Sequence, residues 1–386
     1  MTSRICYLDN AATSFPKPPG VAREMRRCID YYCGNAGRGS HRLSLLAANK
    51  IYECREQICA LTNAPAPENI VFVPSCTYGL NLIIKGALTY GDHVLISDME
   101  HNSVWRPINR LSSEGKITFD TFSALSNSKK DDESILEEIK NKIQKNTKLL
   151  ICTHQSNICS LSLPIVKIGE LCNKYNIIFA LDVAQSIGHY NIDIQKANIS
   201  YLCAPGHKGL YGPQGSAFVV FNSKNSLYPL IEGGNGIYSL ESKMPEFLPE
   251  RHEVGTLPLP SIVGLCEGIK EIKSRTIDEI SAHEQELFLY LRDNLLNIDG
   301  VTVYAPNFAG NTLSFNIKKL SPERVCELLD EENICVRSGF HCSALGHTSL
   351  GTKETGTVRA SFGIYNTKSD IDKLISVINK IGRAHV

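Results

Sequence analysis

Short apolar runs recur along the first half of the chain, at Ile70-Val71-Phe72-Val73, His93-Val94-Leu95-Ile96-Ser97, Leu149-Leu150-Ile151-Cys152-Thr153 and Ile177-Ile178-Phe179-Ala180-Leu181. They are too short for helices and read as buried strands. A further strand is read at 117–122. Between them, helical patterns cover residues 21–32, 43–61 and 164–176, and the stretch after Ser75 that carries Leu80, Leu82, Ile83 and Ile84. Residues 131–144 read as a charged, solvent-facing helix. One more buried run, Tyr201-Leu202-Cys203-Ala204, leads straight into a Gly/Pro-rich turn carrying His207 and Lys208. Strands alternate with helices at least five times. This predicts an α/β fold with a mostly parallel sheet covered by helices.

Past a strand at 216–221 the pattern loosens. Glu232-Gly233-Gly234-Asn235-Gly236 and Glu253-Val254-Gly255-Thr256-Leu257-Pro258 read as loops, and Pro258 with Pro260 punctuates a boundary. Two long helices follow, at about 261–273 and 277–297. Then come strands at 301–304 and 312–317, a helix capped at Ser321-Pro322-Glu323, and a last helix from about Lys368. This predicts a smaller α+β domain.

Composition narrows the classes. Forty basic residues balance forty acidic ones, so nothing points to nucleic acid or an anionic membrane. No apolar run reaches the ~18 residues of a membrane span. Residues 1–10 lack a long apolar stretch and already carry Asp9, so no signal peptide is expected and the cytoplasm is the expected location. The 14 cysteines include no Cys-x-x-Cys pair, against a zinc ribbon or a thioredoxin-like site, and most should pack as small hydrophobes. Cys335, His341, Cys342 and His347 match no standard zinc spacing, so no metal is expected.

The candidate chemistry lies where strands end. His101, Asn157, Asp182 and Lys208 each follow a predicted strand, and in a parallel sheet they gather along one edge. An acid at one strand end and a lysine at the next is what a pyridoxal phosphate (PLP) site requires: the lysine carries the cofactor, and the acid keeps its pyridine nitrogen protonated. Ser75-Cys76-Thr77 opens a helix, which suits either simple capping or a phosphate. Within the glycine-rich loop 33–41, Arg38 and His41 are candidate rim residues. Cys342 differs from the other cysteines because it lies in a polar, glycine-rich loop beside basic groups, which favours a nucleophilic thiolate. Arg359 opens a strand after that loop, and its planar fork suits a carboxylate or a structural ion pair.

The opening Leu8-Asp9-Asn10-Ala11-Ala12, then Ser75-Cys76-Thr77, Glu100-His101-Asn102, Ser156-Asn157, Asp182-Val183-Ala184-Gln185, Gly206-His207-Lys208, Gly255-Thr256, His341-Cys342 and Arg359-Ala360-Ser361 occur in an order that resembles the fold-type I, class V aminotransferase group. Within it, the chain is most similar to cysteine desulfurases and selenocysteine lyases. The short stretch from Cys342 to Arg359 resembles the SufS-like members. The resemblance implies PLP on Lys208, Asp182 at the pyridine nitrogen, His101 stacked on the ring, and Gln185 and Asn157 at the ring oxygen and its neighbours. Cys76, Thr77 and His207 would hold the phosphate, with Gly255 and Thr256 reaching the phosphate of a second copy in a homodimer. Cys342 would take sulfur as a persulfide, and Arg359 with Asn157 would bind the substrate carboxylate.

The resemblance further implies a large PLP-binding domain at 17–257 and a small one at 1–16 and 258–386 that carries the Cys342 loop. The implied reaction converts L-cysteine to L-alanine and passes sulfur to an acceptor protein or small thiol, for iron–sulfur assembly or another sulfur or selenium route. L-selenocysteine is the alternative substrate. A class V aminotransferase or epimerase in which Cys342 is incidental is the further alternative. Pro205 and Cys76 depart from the group's pattern, which often has hydroxyl residues at those positions.

Overall fold

The computed structural model describes residues 5–37, 39–125, 131–223 and 226–385. The chain opens with β1 (Cys6–Tyr7), α1 (Pro19–Tyr31) and α2 (Arg42–Thr62). Strands and helices then alternate: β2 (Ile70–Val73), α3 (Cys76–Ala87), β3 (His93–Ser97), α4 (Asn102–Ser113), β4 (Thr118–Phe122), α5 (Asp132–Lys142), β5 (Thr147–Thr153), α6 (Ile165–Lys174) and β6 (Ile178–Asp182). Two strands, β7 (Tyr201–Pro205) and β8 (Ala217–Phe221), follow without a helix between them. The rest comprises α7 (Leu259–Arg275), α8 (Ile277–Leu295), β9 (Val301–Tyr304), β10 (Thr312–Ile317), α9 (Pro322–Glu331), β11 (Ile334–Cys335), β12 (Arg337–Gly339), α10 (Ala344–Ser349), β13 (Thr357–Ser361) and α11 (Lys368–His385).

Seven strands form the main sheet in the order β2-β8-β7-β6-β5-β3-β4. From β7 to β4 every neighbouring pair is parallel, whereas β8 runs antiparallel to both β7 and β2. The reversal has a local cause. Only residues 206–216 join β7 to β8, too few for the helical crossover that a parallel pair needs. Successive residues feed opposite faces: Val94 and Ile96 enter one core with Leu149, Ile151 and Tyr201, and Leu95 enters the other with Leu150, Phe179 and Leu202. Helices α3 and α4 cover the first face, while α2, α6 and α7 cover the second. Burial on both sides is why these strands read as unbroken apolar runs.

The second sheet, β12-β13-β10-β9, is antiparallel and packs its own core against α8, α9 and α11. The first strand, β1, pairs in parallel with β11, and it buries Cys6, and the residue after it Leu8, in this same core.

Local differences from the sequence reading have simple reasons. Pro260 does not end the loop but lies in the first turn of α7, where a missing N–H costs no helical bond. The charged helix at 131–144 is the shorter α5, and it buries Ile135 and Ile139. After Cys342 the supposed loop coils at once into α10.

Candidate active site

All four parallel strands that precede the candidate polar groups end on one edge of the sheet, so His101, Asn157, Asp182 and Lys208 converge there. Lys208 sits in the turn after β7. That turn is fixed from several sides: Tyr211 N–H donates to the Lys208 carbonyl (2.9 Å), and the Ser14 hydroxyl donates to the same oxygen (2.9 Å). Lys17 Nζ and Ser14 N–H donate to the His207 carbonyl (2.7 and 3.1 Å). Gly209 has no room for a side chain, because a Cβ there would strike the Ile187 carbonyl. Burial lowers the Lys208 pKa, with the negative Asp182 opposing it. Among the described residues, no carboxylate lies within ion-pair distance of its amine.

Asp182 ends β6 and is fully buried, which raises its pKa; the Ala184 N–H donates to Oδ1 (2.8 Å) and partly offsets that. Cys76, the first residue of α3, directs its thiol at this carboxylate: Sγ lies 3.7 Å from Asp182 Oδ1 and 3.4 Å from Cys203 Sγ. The thiol therefore serves the acid. Only the backbone N–H of Cys76 remains for an anion. Ser75 caps α3 by accepting from Tyr78 N–H (3.1 Å), which leaves the N–H groups of Cys76 and Thr77 free of the helix ladder. The Thr77 hydroxyl is paired with Ser103 Oγ at 2.7 Å. Helix α3 can lie this close to β7 because residue 79 is glycine; a Cβ there would be 2.6 Å from Cys203 Sγ.

His101 caps α4, its Nδ1 accepting from Ser103 N–H at 3.0 Å. That bond assigns the proton to Nε2. Burial, then the charge of Lys208, pushes its pKa down to about 4, so the ring is neutral at ordinary pH. His207 is likewise pushed down to about 4 by burial and the charges of Lys208 and Lys17, and its buried Nδ1 has no partner. Gln185 donates to the Ala11 carbonyl (3.1 Å), and Asn157 to the His341 carbonyl (2.7 Å).

The second sheet supplies the other half. Arg359, on β13, is buried, with Nη1 donating to the Asn157 carbonyl (3.1 Å), Nη2 to Asp9 (3.1 Å), and Nε unpaired. Arg337 grips the same Asp9 through Nε (3.0 Å) and Nη2 (2.8 Å). Cys342 is exposed, on backbone with φ of 56°, next to His341 at 49°. Its loop is clamped: Asn102 N–H donates to the Cys342 carbonyl (2.7 Å), and His341 Nδ1 meets His347 Nε2 at 3.3 Å, which in turn meets Thr352 Oγ1 at 2.7 Å through Nδ1. Left-handed backbone at two successive non-glycine residues is costly, and these bonds hold it.

Not every expected residue joins this cluster. Gly255 and Thr256 are exposed and line a separate cavity of 520 Å³ with Asn35, Arg55 and Glu253. His41 caps α2 by accepting from Ser44 N–H (3.3 Å), and Arg38 lies outside the described residues. Sequence reasoning gave no role to Asp9, Arg337, Cys203 or His347. Asp9 was visible only as part of an opening segment. Its partners lie more than 300 positions away, and spacing cannot reveal them. Among the described residues no group of three metal-ligating side chains forms, and no helix is long and apolar enough to cross a membrane.

The arrangement fits PLP. An amine without an ion-pair partner, a buried acid beyond it, an unpartnered His207 Nδ1 and unused N–H groups at the start of α3 are the complementary groups for its aldehyde, ring nitrogen and phosphate.

A family model described as aminotransferase class-V matches residues 6–374. A protein of Methanothermobacter thermautotrophicus, named a probable cysteine desulfurase, is 33% identical over 386 residues, spanning 97% of this chain and 94% of its own. One of Halalkalibacterium halodurans with the same name is 33% identical over 390 residues, spanning 98% and 93%. The apo cysteine desulfurase of Thermococcus onnurineus NA1 matches in structure with a TM-score of 0.90 at 29% identity, covering 98% of this chain and 95% of that one. A cysteine desulfurase of Escherichia coli matches at 0.88 with 23% identity over 99% and 96%, a likeness of fold.

Proposed function

The chain belongs to the class-V aminotransferase family, and on that premise we propose that it is a PLP-dependent cysteine desulfurase, converting L-cysteine to L-alanine and taking the sulfur onto Cys342. The observation that carries this reading is the exposed Cys342 thiol held at the mouth of a site that also contains Lys208, Asp182 and Arg359. A transaminase has no use for a rigidly presented thiol there.

In this reading Lys208 would hold the cofactor, Asp182 would pair with its ring nitrogen, and the neutral His101 would stack on the ring. His207 Nδ1 and the first N–H groups of α3 would hold its phosphate. Bound there, PLP supplies an electron sink for the charge left when the substrate Cα loses its proton. The buried Lys208 amine, depressed in pKa, would accept that proton. Arg359, through its unpaired Nε and its fork, holds the substrate carboxylate, with Asn157 beside it. The Cys342 thiolate then attacks the substrate sulfur: an S–S bond forms, the C–S bond breaks, and alanine remains. The persulfide passes to an acceptor thiol.

We also take residues 17–257 as the cofactor-binding domain and residues 1–16 with 258–386 as the smaller one. In this reading the enzyme is a homodimer in which the exposed Gly255 and Thr256 approach the partner's phosphate site. The test is to measure alanine and sulfide from L-cysteine with the PLP-loaded protein, with and without a reducing thiol. Many turnovers with the thiol, and arrest near one without it, are expected. No alanine from L-cysteine overturns the reading.

A further inference from the structure

A groove of 370 Å³ runs outward from Cys342 between α3 and α4. Thr77, Asn81 and Lys85 form one wall, four residues apart and so on one face of α3, and Arg106 and Arg110 stand on the other wall. Both helices start at the site, so the groove leads from the thiol to the cations over about eight residues of helix, roughly 12 Å. Its charge is one-sided. Arg110 has Glu114 at 3.6 Å, while neither Lys85 nor Arg106 has an acidic partner within ion-pair distance among the described residues. Nothing in the desulfurase chemistry derived above uses these three cations.

We propose that this groove recognises the sulfur acceptor as a small thiol bearing carboxylates, with Lys85, Arg106 and Arg110 holding its anionic end while its sulfur meets Cys342. The inference rests on the desulfurase reading. A groove of this volume suits a ligand of tripeptide size, and its unpaired cations select a negative one. The step needs no outside oxidant or reductant. The acceptor thiolate attacks the outer sulfur of the Cys342 persulfide and forms a new S–S bond with its electron pair. The old S–S bond breaks, its pair leaves on Cys342 Sγ, and the sulfur departs on the acceptor as a perthiolate.

The experiment loads the holoenzyme with one equivalent of L-cysteine, removes excess substrate, and follows discharge of the Cys342 persulfide by two probes with the same thiol: glutathione and its diester. At low ionic strength glutathione is expected to show a KM lower by about fivefold or more, a gap that closes as salt is added. The double variant K85A/R106A should raise the glutathione KM by about the same factor and leave the diester, the alanine burst and the PLP absorbance unchanged. Equal KM values for the two probes overturn the proposal. So does a double variant that slows both alike, or one that loses PLP, which would assign the cations to the cofactor. A missing alanine burst in the unmodified protein would instead overturn the desulfurase reading.

Discussion

Asp9→Asn is the most informative single change, because one carboxylate lies between two guanidinium groups from different strands. The Arg359 side chain is only 3% exposed, Asp9 11% and Arg337 49%. Asparagine keeps the shape and removes the charge. The Arg337 bridge is half in water and is worth at most about 1 kcal/mol. Arg359 is different, since removing the partner of a buried charge costs about 3–5 kcal/mol. Thermal unfolding of the holoenzyme should drop by roughly 5 °C or more. Saturating L-alanine, which brings a carboxylate to Arg359, should return more stability to the variant than to the parent, because it replaces the missing counter-charge. An unfolding temperature within about 1 °C of the parent, with or without L-alanine, would show that Asp9 is not what holds Arg359.

Three shorter predictions address other parts of the site. Cys342→Ala should abolish sulfide release from L-cysteine and leave the PLP absorbance intact; surviving release would remove the thiol from the mechanism. Cys76→Ala deletes a thiol that faces Asp182 rather than the phosphate, so the PLP dissociation constant should change by no more than about threefold, a weak S–H bond being worth under about 1 kcal/mol. A loss of tenfold or more would place the Cys76 side chain on the cofactor. Stability in urea should fall as pH drops from 6.5 towards 4. Burial pushes His101, His154, His207, His252 and His347 down to about 4, so in that window the unfolded chain binds protons that the folded one refuses. Burial also raises three carboxyl groups, Glu100 to about 8 and Asp182 and Glu253 as well, and these act in the opposite direction, but His93 and His341 are pushed down too, so the histidines outnumber them. Midpoints that stay flat from pH 7 to pH 4.5 would contradict the burial of these rings.

The parts of the site that were legible in the sequence are those a strand delivers directly. Asp182 and Lys208 stand at or just beyond strand ends, and their approach follows from parallel pairing of β6 and β7. The direction of a side chain is a different matter. That Cys76 turns towards Asp182 and Cys203 depends on how closely α3 packs on β7, which Gly79 permits but does not announce. Long-range ion pairs are less legible still: Asp9, Arg337 and Arg359 belong to three separate strand segments, and nothing in their own neighbourhoods marks them as partners. The reversal of β8 could have been read from the length of the 206–216 connection, since distance along the chain limits which crossovers exist.

The Asp9–Arg337 bridge spans 328 positions of sequence. At the 5–20 residues per second of synthesis, Asp9 therefore exists for about 15–65 seconds before the arginine that will hold it has been made. During that interval the sheet that carries Lys208 can already assemble from its own contiguous strands, while β1 has no β11 to pair with. The Asp9–Arg359 pair, proposed to hold a substrate carboxylate, thus forms late on the ribosome, and the pairing of β1 waits with it. A chain stalled before Arg337 would present Lys208 without the Asp9–Arg359 pair, and would expose an unpaired β1 to other chains in the meantime.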